Sequence, residues 1–421
     1  MKKYSIIIFL LICNYNFLFS QNEIEKYRSN EITKDEIFQH IKYLASDELE
    51  GRLAGSNGDL LAENYLIQEF KYYKLIPAGD SLYFQNFILK DNSKTANIIG
   101  FLEGNDPVLK NEVILIGAHY DHLGYGSFGS RYTGNEKLIH YGADDNASGT
   151  AGVLELAEKM SSIQGKLKRS YLFICFGAEE EGLIGSAYFT KSSLFNKYNI
   201  ISMINLDMVG RLNNKKTLII SGIGSSNIWD SLVTAINKNY DFTLSLNSES
   251  IGGSDHTSFF LKDKPVLYFF TGIHEDYHKP SDTYDKINPE GEVKILEMVF
   301  DVLMSLDTRE IKPEFVKLDK SKKEEIKGDK KATSKVYTGT IPDFTEEVEG
   351  YKISGVTPGS PADNAGLKAG DIIIKFGDRE IKNISDYMNA LSEHIPDEEV
   401  DFIVLRNGVK INLKIKLGVK K

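Results

Sequence analysis

Residues Tyr171–Glu180 read YLFICFGAEE. Six apolar residues in a row show no polar face, and the run is too short for a core helix. It therefore reads as a strand buried on both sides, as in a parallel sheet covered by helices. Directly after it, past Gly177 and Ala178, stand two glutamates. Three other runs have the same form: Val113–Ala118 (VILIGA) before His119, Ile200–Leu206 (IISMINL) before Asp207, and Pro265–Thr271 (PVLYFFT) before a loop reaching Tyr277 and His278. Helix-period stretches such as Ala147–Met160 and Ser226–Asn239 lie between them. Strands alternating with helices predict an α/β fold, a three-layer α/β/α sandwich with a mixed, largely parallel sheet.

The chain has 421 residues, 41% hydrophobic and 26% charged, enough for two or three domains with real cores. Sixty acids against fifty basic residues leave a net charge of -10, the wrong sign for a nucleic-acid partner. At the N-terminus, Lys2 and Lys3 precede an apolar run that Asn14 and Asn16 interrupt, so it is too short to span a bilayer. It reads as a signal peptide over residues 1–20, cleaved after Ser20, which predicts a secreted or periplasmic protein with no stable membrane span. A lipoprotein would use Cys13, but Ile12 stands where such sequences take a small side chain. The mature chain then keeps only Cys175, so no internal disulfide can form and the thiol is a small buried hydrophobe.

Residues 21–316 are expected to form the larger domain. The segment 317–335 holds eight lysines and four acids, with Leu318 and Ile326 as its large apolar residues, and reads as a solvated linker. Residues 336–421 turn rich in glycine, alanine and strand-like alternation, a small β-rich domain.

Ligands of open α/β sheets bind outside the carboxyl ends of the strands. His119, Glu179, Glu180, Asp207 and His278 all follow apolar runs there, and GADDNASG adds Asp144 ahead of a helix. His119, Asp144, Glu180, Asp207 and His278 make two imidazoles and three carboxylates, a set suited to zinc. Five ligands exceed one tetrahedral site but fit two ions about 3.5–4 Å apart that share a carboxylate. Asp144 is the expected bridge and Glu179, beside a ligand, the expected base. Asp121 either orients His119 or serves a turn. Arg211 either contacts substrate or braces the Asp207 loop, and His256 is the remaining histidine placed to line the pocket.

The ordered motifs YLASDELEGRLAGS, GAHYDHLG, GADDNASGTAG, FGAEEEGLIGS, NLDMVGR and YHKPSDTYD resemble the co-catalytic dizinc aminopeptidases of the bacterial leucyl aminopeptidase and aminopeptidase Y type. The resemblance implies two Zn²⁺ ions held by His119, Asp144, Glu180, Asp207 and His278, with Glu179 as base to a water bridging them and peptides as substrates. It further implies an oxyanion-stabilising Tyr277 and a cis peptide between Asp144 and Asp145. Carboxypeptidases and glutaminyl cyclases resemble the same ligand pattern, and a noncatalytic peptide-binding protein is the alternative of another class.

GVTPGSPADNAGLKAGDIIIKFGDREI (Gly355–Ile381) resembles a PDZ domain of the bacterial protease-associated kind. That implies capture of a peptide C-terminus by strand addition near Tyr337–Ile341, where Thr338 and Thr340 depart from the usual hydrophobic pattern. A merely docked, shielding domain is the alternative.

Overall fold

The computed structural model describes residues 24–126, 130–132, 134–248, 250, 252–310, 312–316, 336–342, 348–356, 359–382, 386, 387, 390, 391 and 393–419. The expected signal peptide and the expected linker lie outside the described residues. The chain divides into two compact units, residues 1–316 and 317–421.

In the first unit, strands β1 (Ile76–Pro77), β2 (Phe84–Ile88), β3 (Lys94–Leu102), β4 (Val113–His119), β5 (Ser170–Phe176), β6 (Ile200–Leu206), β7 (Thr217–Ser221), β8 (Thr243–Asn247) and β9 (Val266–Phe270) build one nine-stranded sheet. The order is β1-β3-β5-β4-β6-β9-β7-β8, with β2 paired to β3. Its centre, β5-β4-β6-β9, is parallel, while β3 runs antiparallel to β5 and β7 antiparallel to β9. Every residue of β4, β5 and β6 is buried, which is why these runs carry no polar alternation.

The side chains of β4 still alternate in direction. Ile114, Ile116 and Ala118 enter the core that contains Val153 and Leu154, while Val113 and Leu115 enter a second core with Phe189 and Phe259. Two cores on opposite faces make the sheet the middle of three layers. The helices are α1 (Lys34–Leu44), α2 (Asn57–Tyr72), α3 (Gly149–Ser162), α4 (Ile184–Lys191), α5 (Ser193–Lys197), α6 (Trp229–Asn237), α7 (His256–Phe260) and α8 (Pro289–Thr308). Their ends follow local chemistry. Thr33 caps α1 through the Glu36 amide, and α8 opens with an Asn288 cap, Pro289, and Glu290 and Glu292 in its first turn.

α3 lies across β4, β5 and β6. It comes that close because Gly149 has no side chain, since a Cβ there would stand 2.3 Å from the Leu206 carbonyl oxygen. Cys175 is free and buried. Among the described residues no helix is long and apolar enough to cross a membrane.

In the second unit β10 (Thr340–Pro342), β11 (Tyr351–Val356), β12 (Ile372–Phe376), β13 (Arg379–Glu380), β14 (Glu399–Arg406) and β15 (Val409–Lys416) form an antiparallel sheet. A short helix, α9 (Pro361–Asn364), follows the Ser360 cap. The core includes Ile353, Leu367, Ile373, Phe376, Tyr387, Phe402 and Ile415. The polar pair Thr338 and Thr340 bonds within the fold: both hydroxyls engage the Tyr387 hydroxyl, and the Tyr351 hydroxyl donates to Thr340 Oγ1 at 3.3 Å.

Candidate metal centre and active site

Parallel strands deliver their carboxyl ends to one edge, and the reactive side chains gather there. His119 closes β4, Glu179 and Glu180 follow β5, Asp207 follows β6, and the loop after β9 carries His274, Tyr277 and His278. The turn 143–148 before α3 supplies the remaining carboxylate, and that carboxylate belongs to Asp145. Its Oδ1 lies 3.5 Å from His119 Nε2 and its Oδ2 lies 3.1 Å from His278 Nε2. Around His119 stand Asp207 Oδ1 at 3.5 Å and Glu179 Oε2 at 3.9 Å. Around His278 stands Glu180 Oε2 at 3.2 Å.

The expectation that Asp144 bridges is corrected by this geometry. The Asp144 carboxylate turns away from both histidines and accepts from the Gly210 amide at 2.8 Å, Ser148 Oγ at 3.1 Å and His274 Nε2 at 3.1 Å. The cis peptide is likewise one step on, between Asp145 and Asn146. Gly142, with φ +57, starts the turn, and a Cβ there would run into the Asp145 carbonyl oxygen and the His122 ring.

Several residues outside the expected set hold this arrangement. Asp282 Oδ2 accepts from the Asp144 and Asp145 amides at 3.0 and 3.1 Å. Asn146 ties the turn to the end of β6, donating to the Leu206 carbonyl and accepting from the Met208 amide. Asp121 receives the Glu179 and Glu180 amides on its two oxygens, at 2.9 and 3.2 Å. Its backbone carbonyl lies 3.2 Å from His119 Nδ1, nearer than its carboxylate at 3.8 Å, so the carboxylate serves chiefly the glutamate loop and the carbonyl the ring.

His122, which in sequence reads as a surface or packing residue, bonds through Nδ1 to Glu180 Oε1 at 2.7 Å and leaves Oε2 for the His278 side. The Arg52 guanidinium, fully buried, donates to the carbonyls of Leu44, Tyr120, Tyr141 and Gly142. Arg211 pairs with Asp276 at 2.7 Å, bracing the His278 loop. His256 stacks on Tyr268. Glu181 is exposed.

The electrostatics follow from burying many charges together. Burial pushes Glu179 well above the usual carboxylate range, and its acidic neighbours push the same way against His119. Burial would raise Glu180 too, but the His278 and His122 imidazoles outweigh it and hold Glu180 well below that range. Burial alone would lower His119 and His278, yet the facing carboxylates hold both well above the ordinary histidine value. Tyr277 is pushed up by burial and by the same carboxylates, and its ring stacks on His278 at 3.8 Å between centroids.

His119, Glu179 and Asp207 offer ligand atoms within 4.8 Å of one another, as do His122, Asp145 and Glu180. Asp145 Oδ2 and Asp207 Oδ1 are buried with no hydrogen-bond partner among the described residues. Imidazole nitrogens facing orphaned carboxylate oxygens are the donor set that zinc takes, so the residues fit that ion.

A family model described as peptidase family M28 matches residues 97–303, and one described as PDZ domain matches residues 315–417. Aminopeptidase YwaD of Bacillus subtilis (strain 168) is 31% identical over 237 residues, covering 54% of this chain and 48% of its own. The leupeptin-inactivating enzyme 1 of Streptomyces exfoliatus is 30% identical over 211 residues, 49% of this chain and 42% of its own. The chain thus spans about half, or less, of the length of these relatives. Among solved structures, the aminopeptidase from Aneurinibacillus sp. strain AM-1 superposes with a TM-score of 0.52 at 20% identity, covering 69% of this chain and 96% of that one. The glutaminyl cyclase of Bacteroides thetaiotaomicron does so with a TM-score of 0.53 at 19% identity, covering 65% and 97%. At these identities the structures establish a shared fold.

Proposed function

Because residues 97–303 match the model of peptidase family M28 and residues 315–417 that of the PDZ domain, we propose that the protein is an exported aminopeptidase that removes N-terminal residues from peptides at a site for two zinc ions. The observation that carries this reading is Asp145, whose two oxygens are divided between a His119 side and a His278 side. His119, Asp207 and Asp145 would hold one ion, and His278, Glu180 and Asp145 the other.

Zinc held by these residues would supply Lewis-acid chemistry, activating water and polarising the scissile carbonyl. Glu179 Oε2, 3.9 Å from His119 Nε2 on the same side, takes the water's proton and returns it to the leaving amine. Burial makes its carboxylate more basic than an exposed one, which favours proton uptake by this group. Tyr277, kept protonated by burial and its acidic neighbours, donates its phenol hydrogen to the oxyanion. The apolar N-terminal stretch supports export. In the second unit, Thr338 and Thr340 are engaged by Tyr387 and Tyr351. Their polarity is therefore compatible with a PDZ fold that still captures peptide C-termini.

The test is hydrolysis of leucyl and alanyl p-nitroanilide by the full chain, with and without a chelator, beside an N-blocked analogue. Chelator-sensitive cleavage of the free substrates alone is expected. Cleavage of the blocked analogue alone, or insensitivity to chelator, overturns the reading. Because the cyclase fold matches as well as the aminopeptidase fold, a peptide with N-terminal glutamine is assayed in parallel. Release of ammonia without free amino acid would assign cyclisation instead.

A further inference from the structure

A second group of buried charge sits away from the strand ends, between α1, α2 and α3. Glu36 and His40 are one helical turn apart on α1, and Glu155 projects from α3. All three are buried, His40 completely. His40 Nε2 faces Glu155 Oε1 at 3.8 Å and Glu36 Oε1 at 4.0 Å. Neither His40 Nε2 nor Glu155 Oε1 has a hydrogen-bond partner among the described residues. The other ends of these side chains are fixed. His40 Nδ1 shares a 2.6 Å hydrogen bond with the Tyr65 hydroxyl, and Glu155 Oε2 accepts from the Thr33 amide at 3.1 Å. An imidazole oriented through one nitrogen, with the other directed at two carboxylates, is how a metal-ligating histidine is commonly held.

The local charge does not balance without something more. Arg28 is the nearby guanidinium, and it is drawn to Glu69 at 2.5 Å before Glu36 at 3.3 Å and Glu158 at 4.0 Å. The Glu158 Oε2 atom is also buried without a hydrogen-bond partner. Burial, then Glu155 and Glu158, raise Glu36 to about 10. Three carboxylates around one neutral histidine thus need either protons or a cation. The ligand atoms of Glu36, His40 and Glu155 all lie within 4.8 Å of one another, a spacing that one ion can span.

We propose that Glu36, His40 and Glu155 form a second, structural site for a first-row divalent cation of the zinc type, tying α1 to α3. One imidazole with two carboxylates is a borderline-hard donor set that such ions prefer. The site clamps α3 two turns beyond the Asp145 turn, so its loading stiffens the helix that follows the turn carrying Asp145. The assignment is independent of the peptidase reading.

The test uses the full-length chain carrying His119→Ala, Asp145→Ala and His278→Ala, with zinc counted by elemental mass spectrometry after equilibration and dialysis. One zinc per chain is expected to remain and to disappear when Glu155→Gln is added, and its removal should lower Tm by roughly 5 °C. A folded triple variant that retains no zinc, with the same Tm in zinc and in chelator, overturns the proposal and leaves the cluster to protons. Should the triple variant not fold, Glu36→Gln and Glu155→Gln are compared with the wild type. Each must bind one zinc fewer, and unchanged stoichiometry overturns it equally.

Discussion

Asp144 and Asp145 are neighbours in the chain, yet their carboxylates meet different partners. Asp145 stands between His119 and His278, whereas Asp144 receives the Gly210 amide, Ser148 and His274. The two should separate cleanly on mutation. Asp145→Ala is expected to abolish metal retention, because both halves of the centre lose a ligand. Asp144→Asn is expected to keep the metal and to lower unfolding free energy by about 1–3 kcal/mol, the cost of weakening a buried acceptor. Zinc content and urea unfolding of the two purified variants measure this. Metal loss from Asp144→Asn at full stability would contradict it.

Glu179 differs from its neighbour Glu180 in being raised by burial, where Glu180 is held down by histidines. Glu179→Gln keeps size and hydrogen bonding but removes the base. Turnover of leucyl p-nitroanilide should fall about 10²–10⁴-fold while zinc content stays at the wild-type level. Loss of zinc from this variant would move Glu179 from base to ligand.

The sheet was legible because β4, β5 and β6 are buried on both faces, which leaves near-continuous apolar runs that no loop or amphipathic helix imitates. His119, Glu179, Glu180 and Asp207 follow those runs within a few residues, so the strand ends carried them along. Asp145 was misplaced by one because the 143–148 turn is not a regular element. In a strand or helix, spacing states which face a side chain takes. In this turn the direction is set by Asp282, which grips the Asp145 amide from 137 residues on, and by the Leu206 carbonyl, which holds Asn146 from 60 residues on. Thr338 and Thr340 pose the same problem on a smaller scale, since their partner Tyr387 lies 49 and 47 residues on.

His122 holds one oxygen of Glu180 and thereby turns the other towards His278. It acts as a positioning residue through Glu180. His122→Ala should weaken zinc binding about 10–100-fold, with His122→Asn recovering part of the loss through its amide donor. Competition with a calibrated chelator reads the affinity directly. Equal affinity in wild type and His122→Ala would show that the bond is incidental.

Arg52 joins three chain segments around the site through the carbonyls of Leu44, Tyr120, Tyr141 and Gly142. Lysine keeps the charge but cannot reach four carbonyls from one planar fork. Arg52→Lys should therefore cost about 3 kcal/mol or more, because several buried carbonyls lose a charged donor. Unfolding measured in saturating zinc separates this loss of structure from any loss of metal. A stability within experimental error of the wild type would mean that water replaces the guanidinium without cost.

His256 predicts how the fold responds to acid. It is almost fully buried, lies against Tyr268 at 4.6 Å between ring centroids, and burial lowers it to about 3. Its Nδ1 has no hydrogen-bond partner among the described residues. In the unfolded chain it returns to about 6.5. Above that pH both states are neutral and the residue adds no pH dependence. Below it the unfolded state takes up a proton that the native state refuses, so stability falls by up to about 1.4 kcal/mol per pH unit until about pH 3. His256→Phe, which keeps the stacking, removes that term. The difference in unfolding free energy between pH 7 and pH 5 should shrink by up to about 2 kcal/mol relative to the wild type. An identical pH dependence in the two proteins would mean that His256 accepts a proton in the folded state.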